Sequence, residues 1–210
     1  MKKLLILGAG GHAKVIKETA MESSKFNTFH YLDDNKNLIK ENKNIVGEFK
    51  DLFLDRIKSI YKNAFIAVGD SKKREKLFKN LITEGYNLPV LIHPTSWVSK
   101  SAKISEGSII LANSTIQANV TIGSNVIINN NCSIDHDSII ENSSHICPGV
   151  NLAGNVRIGK RTWVGIGSSI IQNIEIGNDV LIGAGSVITK SLPDSIKAYG
   201  VPAKIIERSL

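Results

Sequence analysis

One histidine of the chain has a carboxylate on each side, because His136 lies between Asp135 and Asp137. A neighbouring carboxylate fixes the tautomer of an imidazole and raises its basicity, which are the properties that a general base needs. We therefore predict that His136 and Asp137 form a catalytic pair in which His136 accepts a proton. The sequence leaves two questions open: whether Asp137 or Asp135 orients the ring, and whether His136 is only a solvated surface residue.

A glycine-rich segment near the N-terminus is a second candidate for chemistry. It lies between an apolar run, Lys3–Leu7, that fits a buried strand and a helix-like stretch that continues to Ala20. At such a turn, glycines let a phosphate approach the backbone N–H groups, and the helix dipole favours its negative charge. Two acids follow a second strand, twenty residues beyond Ala13, where they are placed to accept hydrogen bonds from a ribose or a base. The predicted substrate-binding residues are Gly8, Gly10, Gly11, His12, Asp33 and Asp34.

The same N-terminal residues also have a purely structural interpretation. The glycines would then only turn the chain, Asp33 would cap a loop and His12 would cap a helix. An NAD-dependent oxidoreductase is disfavoured, because fewer than 100 residues precede the repeat described next and supply only half of a dinucleotide-binding sheet.

An internal repeat must position the histidine. From Val98 to Ile188 every sixth residue is aliphatic, at sixteen consecutive positions, and a second, mostly small residue follows four places after most of them. A period of six fits neither an α-helix nor an ordinary strand, so the segment is predicted to be a β-helix of hexapeptide repeats with both sets inside. Cys132 belongs to the second set and is therefore predicted to be buried and unreactive.

Three hexapeptides form one coil of 18 residues, so residues 18 apart are predicted to stack about 4.8 Å from each other. Gly154 is then expected beside His136, and Trp163 beside His145. The same spacing aligns two columns of glycines, which either form a groove for a pantetheine arm or only turn the coil corners. The columns are Gly149, Gly167 and Gly185 in one, and Gly165 and Gly183 in the other.

Composition limits the classes of function open to the chain. Among its 210 residues, 26 Lys and Arg stand against 19 Asp and Glu, and nearly all of the excess lies before the repeat. This bias suits an anionic ligand such as a nucleotide diphosphate, but no basic block interleaved with aromatics indicates nucleic acid. No apolar stretch approaches the ~20 residues that cross a bilayer, and the N-terminal run breaks too early for an export signal. We expect a cytoplasmic protein with no metal, no nucleic-acid partner and no membrane insertion.

Several segments together resemble a known family. Gly-Ala-Gly-Gly-His-Ala-Lys near the N-terminus, Leu91-Ile92-His93-Pro94, the repeat, and the closing Gly200-Val201-Pro202-Ala203-Lys204 are similar to the hexapeptide-repeat sugar acetyltransferases of the bacillosamine N-acetyltransferase and sialic acid O-acetyltransferase type. The resemblance implies a Rossmann-like α/β domain over residues 1–92 and a left-handed parallel β-helix over 93–210. The usual preference for right-handed crossovers would predict the opposite hand.

The resemblance also implies an activity. It implies transfer of acetyl from acetyl-CoA to the amino group of a nucleotide-linked amino sugar of the UDP-4-amino-sugar type, with His136 as the general base. The amide at Gly154 would bind the thioester oxygen, and the N-terminal domain would hold the nucleotide sugar. Bacillosamine members carry Glu where this chain has the shorter Asp137, so the resemblance leaves both Asp137 and Asp135 as candidates for the orienting carboxylate. The spacing and the resemblance together predict the cofactor-binding residues His145, Gly154, Gly165, Gly167, Gly183, Gly185 and Lys204. For His145 the alternative is that it only packs against Trp163 at the surface.

The resemblance further implies a homotrimer with each active site between two subunits. An O-acetyltransferase of the sialic acid type remains an alternative, because the sequence does not separate an amine acceptor from a hydroxyl. A second alternative is a non-catalytic β-helix scaffold that binds a nucleotide sugar. No three histidines lie in β-helix register, which argues against a metal enzyme on this fold.

Overall fold

The computed structural model describes residues 2–208 and divides into two compact units, Met1–Leu91 and Ile92–Leu210. The division falls one residue before the boundary expected between domains 1–92 and 93–210. Each unit has its own apolar core.

The N-terminal unit contains a parallel sheet flanked in sequence by helices. Its strands are β1 (Lys3–Leu7), β2 (Thr28–Leu32), β3 (Ile45–Gly47) and β4 (Asn63–Ile66), in the spatial order β3-β2-β1-β4. Its helices are α1 (Gly11–Glu22), α2 (Lys36–Glu41), the 3₁₀ helix Phe49–Phe53, α3 (Asp55–Ile60) and α4 (Ser71–Thr83). Leu4, Leu5, Ile6 and Leu7 are fully buried, as the apolar run predicts. The glycine turn after β1 therefore lies at the carboxyl edge of the sheet, where β2 and β4 also end.

The second unit is a stack of two-residue strands. They are β5 (Leu91–Ile92), β6 (Trp97–Val98), β7 (Lys103–Ile104), β8 (Ile109–Ile110), β9 (Thr115–Ile116), β10 (Thr121–Ile122), β11 (Ile127–Ile128), β12 (Ser133–Ile134), β13 (Ile139–Ile140), β14 (His145–Ile146), β15 (Asn151–Leu152), β16 (Arg157–Ile158), β17 (Trp163–Val164), β18 (Ser169–Ile170), β19 (Glu175–Ile176), β20 (Leu181–Ile182) and β21 (Val187–Ile188). Every third strand belongs to the same parallel sheet, which gives three sheets and a coil of 18 residues. The unit ends in an antiparallel hairpin of β22 (Ile196–Gly200) and β23 (Ala203–Arg208). The repeat begins one hexapeptide earlier than predicted, because Ile92 occupies the position six residues before Val98.

The interior of the β-helix is filled by the two predicted sets of side chains. The aliphatic column is almost wholly buried, and so are the small residues between its members. Buried serines remain satisfied: Ser108 Oγ, for example, donates to Gly123 O at 2.6 Å and accepts from Val126 N at 2.9 Å. Cys132 is buried as predicted, and burial raises the pKa of its thiol to about 11.

The corners of the coil require a left-handed backbone at every sixth residue. Glycine or a short polar residue supplies this conformation at most corners, since these types adopt positive φ most readily. The corner residues are Gly107, Asn113, Asn119, Asn125, Asn131, Asp137, Ser143, Gly149, Asn155, Arg161, Gly167, Asn173, Asp179 and Gly185. The catalytic candidate Asp137 is therefore held at a corner by the fold itself.

Candidate active site

His136 lies on the corner between β12 and β13, where its side chain is 58% exposed. Its Nδ1 lies 2.8 Å from Oδ2 of Asp137, whose φ of 58° turns the chain at this point. Asp135 has a different partner, because its Oδ1 accepts a hydrogen bond from the backbone N–H of His136 at 2.8 Å. Of the two carboxylates that the sequence left open, Asp137 is the one that contacts the imidazole.

The two acids make His136 a stronger base than free histidine. The hydrogen bond with Asp137, and after it the charge of Asp135, raise the pKa of His136 above its ordinary value. Its imidazolium form, once a proton is taken up, is thus stabilised by two carboxylates. With Nδ1 engaged by Asp137, Nε2 is the nitrogen left to accept a proton from a substrate.

Gly154 lies beside the imidazole, as the 18-residue spacing predicts. A Cβ at this glycine would lie 2.5 Å from both Cε1 and Nε2 of His136, so any larger residue would collide with the ring. The two coils are joined at the same place by the backbone, where Asn155 N–H donates to His136 O at 2.9 Å. The absent side chain therefore leaves room next to the reactive nitrogen.

A groove of about 480 Å³ follows the face built from β14, β17 and β20. His145 and Trp163 pack edge to face in it, with ring centroids 4.3 Å apart, as their spacing predicts. Gly165 and Gly183 line this groove, and a Cβ at Gly183 would overlap the ring of Tyr199. A narrow arm with polar groups could lie against such a surface without displacing side chains.

The two glycine columns differ in what they do. Gly149, Gly167 and Gly185 occupy corners with φ between 65° and 70°. This left-handed conformation is the one expected of glycines that only turn the coil corners. Gly165 and Gly183 have no positive φ. A Cβ at Gly165 would collide with the backbone of the next coil at Ile182 O, and one at Gly183 with the ring of Tyr199, so close packing requires these two glycines. Lys204 is exposed and lies opposite Tyr199 in the hairpin.

Asn129 belongs to the same groove and was missed by the sequence reasoning. Its Nδ2 lies 3.2 Å from Nε2 of His145. The 18-residue spacing could have predicted this position. Asn129 precedes Cys147 by 18 residues and Gly165 by 36, and all three residues line the groove.

The glycine turn of the N-terminal unit is shaped by two different kinds of glycine. Gly8 has a φ of 107°, and a Cβ there would meet Ala67 O at 2.9 Å. Gly10 and Gly11 are exposed at the start of α1, and a Cβ on either would have no atom within 4 Å outside its chain neighbours and its own helix. Space for a ligand therefore lies over Gly10 and Gly11, whereas Gly8 is required by the turn.

The predicted acids hold this turn together. Asp33 accepts hydrogen bonds from Ala9 N at 2.7 Å and from Asn35 N at 2.8 Å, one at each carboxylate oxygen. Asp34 accepts one from Phe49 N at 2.9 Å. These contacts agree with the interpretation that the acids stabilise the turn. Each carboxylate oxygen that accepts one of these bonds keeps a second lone pair that a ligand can use.

His12 is half-buried and Arg74 is fully buried, and both belong to helices that follow strands ending at the carboxyl edge of the sheet. Burial, and after it the charge of Arg74, lower the pKa of His12 to about 4, so its ring is neutral at physiological pH. His12 Nε2 is buried and has no hydrogen-bond partner among the described residues. Arg74, 1% exposed, donates to the carbonyls of Val68 and Gly69. Sequence reasoning missed Arg74, although its place three residues before the buried Leu77 of α4 marks it as inward-facing.

Two further observations concern a possible metal site and a possible membrane-spanning helix. Across residues 2–208, no group of three His, Cys, Asp or Glu side chains is arranged to hold a metal ion. No helix in that range has the length and apolar character needed to cross a membrane.

Comparison with known families matches both units. Residues 3–81 match the PglD N-terminal domain, and residues 101–136 and 155–190 match the bacterial transferase hexapeptide (six repeats). UDP-N-acetylbacillosamine N-acetyltransferase from Bacillus subtilis (strain 168) is 37% identical over 117 residues, which is 52% of this chain. The match spans about half of that relative, 51% of its length.

Two solved structures share the fold over nearly the whole chain. The acetyltransferase domain of PglB from Neisseria gonorrhoeae FA1090, also solved with acetyl coenzyme A, has a TM-score of 0.91 at 34% identity and covers 98% of this chain and 100% of its own. PerB from Caulobacter crescentus, solved with CoA and GDP-perosamine, has a TM-score of 0.90 at 34% identity and covers 99% and 98%. The predicted fold class, a small α/β domain followed by a left-handed β-helix, is confirmed.

Proposed function

The chain belongs to the acetyltransferase family that joins a PglD N-terminal domain to hexapeptide repeats, and on this basis we propose that it acetylates the amino group of a nucleotide-linked amino sugar with acetyl-CoA. The observation that carries the proposal is the placement of His136 Nε2 beside Gly154 on an exposed corner of the β-helix. A base in open space with room for a substrate atom is what acyl transfer needs, and it has no purpose in a passive scaffold.

The proposed reaction uses His136 as the general base. Its Nε2 takes a proton from the sugar amine as the nitrogen attacks the thioester carbonyl. The C–S bond then breaks, the acetyl group stays on nitrogen as an amide, and the CoA sulfur leaves and receives a proton. Asp137 stabilises the imidazolium formed in the first step.

Transfer is direct in this proposal, without an acyl-enzyme. The thiols Cys132 and Cys147 are both buried, and burial raises their pKa values to about 11 and about 12. A thiol with so high a pKa is almost wholly protonated near neutrality and is a poor nucleophile.

The donor and the acceptor have separate candidate sites. The groove beside His145, Trp163, Gly165 and Gly183 has a volume of about 480 Å³, which suits a pantetheine arm. The backbone amide at Gly154 would bind the thioester oxygen as it becomes an oxyanion, an interaction that typically lowers the barrier by ~3 kcal/mol. The exposed turn at Gly10 and the neighbouring acids suit a nucleotide sugar.

We propose uridine diphosphate as the nucleotide, on the resemblance to the bacillosamine enzyme. The nucleotide differs between the relatives, since one is named for a UDP sugar and another was solved with a GDP sugar. In this proposal the nucleotide specificity of the chain is set by residues around the glycine turn, where the nucleotide sugar would bind.

A substrate panel tests the proposal. UDP-, GDP- and dTDP-linked amino sugars, with free and CMP-linked sialic acids, are incubated with acetyl-CoA, and free thiol and the acetylated product are measured. Thiol release with an amino sugar nucleotide and an N-acetyl product support the proposal. An O-acetyl product would show the sialic acid type, and binding of a nucleotide sugar without any thiol release across the panel would show a scaffold.

We also propose that the protein is a homotrimer, on the family resemblance. Large apolar side chains on the β-helix support it, since Ile166, Leu181 and Val201 are 56%, 41% and 73% exposed in the single chain. Sedimentation equilibrium at micromolar concentration should give three times the monomer mass. A monomeric mass there would contradict the trimer.

A further inference from the structure

Asn119 lies one coil before Asp137 and contacts its carboxylate. Asn119 Nδ2 donates to Asp137 Oδ1 at 3.1 Å, while Asp137 Oδ2 lies 2.8 Å from His136 Nδ1. The two oxygens of one carboxylate thus have two different partners, one on the neighbouring coil and one on the catalytic ring.

The backbone fixes the amide in turn. Asn119 occupies a corner with φ of 62°, and its N–H donates to Ser101 Oγ at 3.0 Å. Ser101 Oγ lies 3.0 Å from Ser99 Oγ, so the contacts continue along the corner column from Ser99 to His136. Two of these contacts, Ser101 with Asn119 and Asn119 with Asp137, join residues 18 apart, so the register of the coils sets them.

We propose that Asn119 is a positioning residue for acetyl transfer, which holds the Asp137 carboxylate in the orientation that keeps the proton on His136 Nδ1 and leaves Nε2 free to act as the base. This inference rests on the proposed function of His136. Asn119 is not a catalytic residue, because it touches neither the ring of His136 nor a reacting atom.

Exposure is the reason why such a support matters here. The side chains of His136 and Asp137 are 58% and 54% exposed, so water competes for every hydrogen bond between them. A carboxylate held at only one oxygen in that setting samples other rotamers. Asp is one methylene shorter than Glu, which keeps its carboxylate near the corner and within reach of the amide one coil away.

Asn155, the corner residue one coil after Asp137, does not hold the Asp137 carboxylate in the same way. Asn155 follows Asp137 by 18 residues and also has a positive φ, of 55°. Its Nδ2 donates to Asn173 Oδ1 at 2.8 Å, away from the catalytic corner. The hydrogen bond with His136 and, after it, the hydrogen bond from Asn119 lower the pKa of Asp137, which keeps the carboxylate ionised.

Asn119→Gly removes the amide without straining the corner, since Gly107 and Gly149 occupy equivalent corners. We expect kcat to fall roughly 3- to 10-fold, the range for one lost hydrogen bond, with KM for both substrates unchanged. Asn113→Gly is the matched control, because Asn113 is an exposed asparagine with φ of 59° at another corner. The control should keep the kcat of the native protein.

A second readout needs no substrate. Nitrogen-15 NMR of the free protein should show neutral His136 with its proton on Nδ1, and Asn119→Gly should shift part of the population to the Nε2–H form. Unchanged kcat and an unchanged tautomer in Asn119→Gly, while His136→Ala is inactive, would overturn the role of Asn119 and leave the proposed function standing. If the native protein acetylates nothing in the panel, the proposed function fails, and a tautomer that does not respond to Asn119→Gly overturns the positioning role as well.

Discussion

The two units of the molecule place their candidate site residues in different ways. In the β-helix, each residue stacks on the one 18 positions away, so His136 and Gly154 meet because of their spacing alone. In the N-terminal unit, the glycine turn is held by Asp33 from the end of β2, a contact over 24 positions that no repeat dictates. A regular coil turns sequence spacing into distance, whereas a sheet with helices needs the whole tertiary fold to do so.

This difference predicts different responses to substitution. A change on a β-helix corner should act on the neighbour one coil away and leave the fold intact. A change in the glycine turn should affect either ligand space or folding, depending on which glycine is replaced. The substitutions below test this contrast in order of expected size.

Gly154→Ala should have the largest effect of these. Its Cβ would lie 2.5 Å from the imidazole, and the exposed ring can swing away, so the protein should fold normally while the base is misplaced. We expect kcat to fall about 10²–10³-fold, as when one group that stabilises the transition state is lost. Steady-state kinetics and a thermal melt measure the two effects, and near-native kcat would show that the ring does not act from beside Gly154.

Gly10→Val should come next, and it should act on one substrate only. Gly10 has φ of −78° and open space around it, so valine is tolerated by the fold and fills the space proposed for the nucleotide sugar. We expect acceptor binding to weaken about 10- to 100-fold, the cost of overfilling a site, with acetyl-CoA binding unchanged. Calorimetric titration with each substrate checks this, and an equal loss of both would show that the turn is only structural.

Gly8→Val is the matched comparison within the same turn. Gly8 has φ of 107° and lies against Ala67 O, so a side chain there is strained and collides with backbone. The melting temperature should fall in Gly8→Val and not in Gly10→Val. If the melting temperature fell in Gly10→Val and not in Gly8→Val, Gly10 would be the glycine that the turn requires.

Asp137→Asn should have a smaller effect, visible in both rate and pH. Asp137 stabilises the imidazolium and so raises the pKa of His136, and activity is lost as pH falls through that raised pKa. Without the carboxylate the pKa falls, so the acidic limb moves to lower pH, and kcat drops about tenfold because the ring is less well held. An NMR titration of His136 reports its pKa separately from that of the substrate amine.

Asp135→Asn should give the smallest change. Asp135 acts on the ring through its charge, which is the second cause of the raised pKa, while its Oδ1 caps the backbone N–H of His136. The same NMR titration should show a smaller downward shift than in Asp137→Asn. A larger shift in Asp135→Asn would mean that Asp135 is the orienting acid in solution.

The β-helix part of the site was predictable in detail. The repeat indicated the strands, the coil length and two stacked pairs, His136 with Gly154 and His145 with Trp163. Hydrogen bonds of single side chains were not predictable, because a spacing does not tell which oxygen of Asp137 faces the ring. For the same reason, only the structure could tell whether Asp135 or Asp137 contacts the imidazole of His136.

The N-terminal part was predictable only in outline. Strand, glycine turn and helix follow in the order that the sequence indicates, but the partners of Asp33 and the burial of Arg74 depend on how distant elements pack. The same packing leaves His12 neutral with a buried nitrogen that has no partner among residues 2–208, which its sequence neighbours do not indicate.

The most direct test of the account is the rate of a single turnover in His136→Ala, with saturating acetyl-CoA and an acceptor that the native protein uses. Loss of a positioned general base should slow acetyl transfer about 10²–10⁴-fold, while the affinity for acetyl-CoA barely changes. A rate close to that of the native protein would place the base elsewhere, with His145 the next candidate, and would contradict the assignment of the chemistry to the corner beside Gly154.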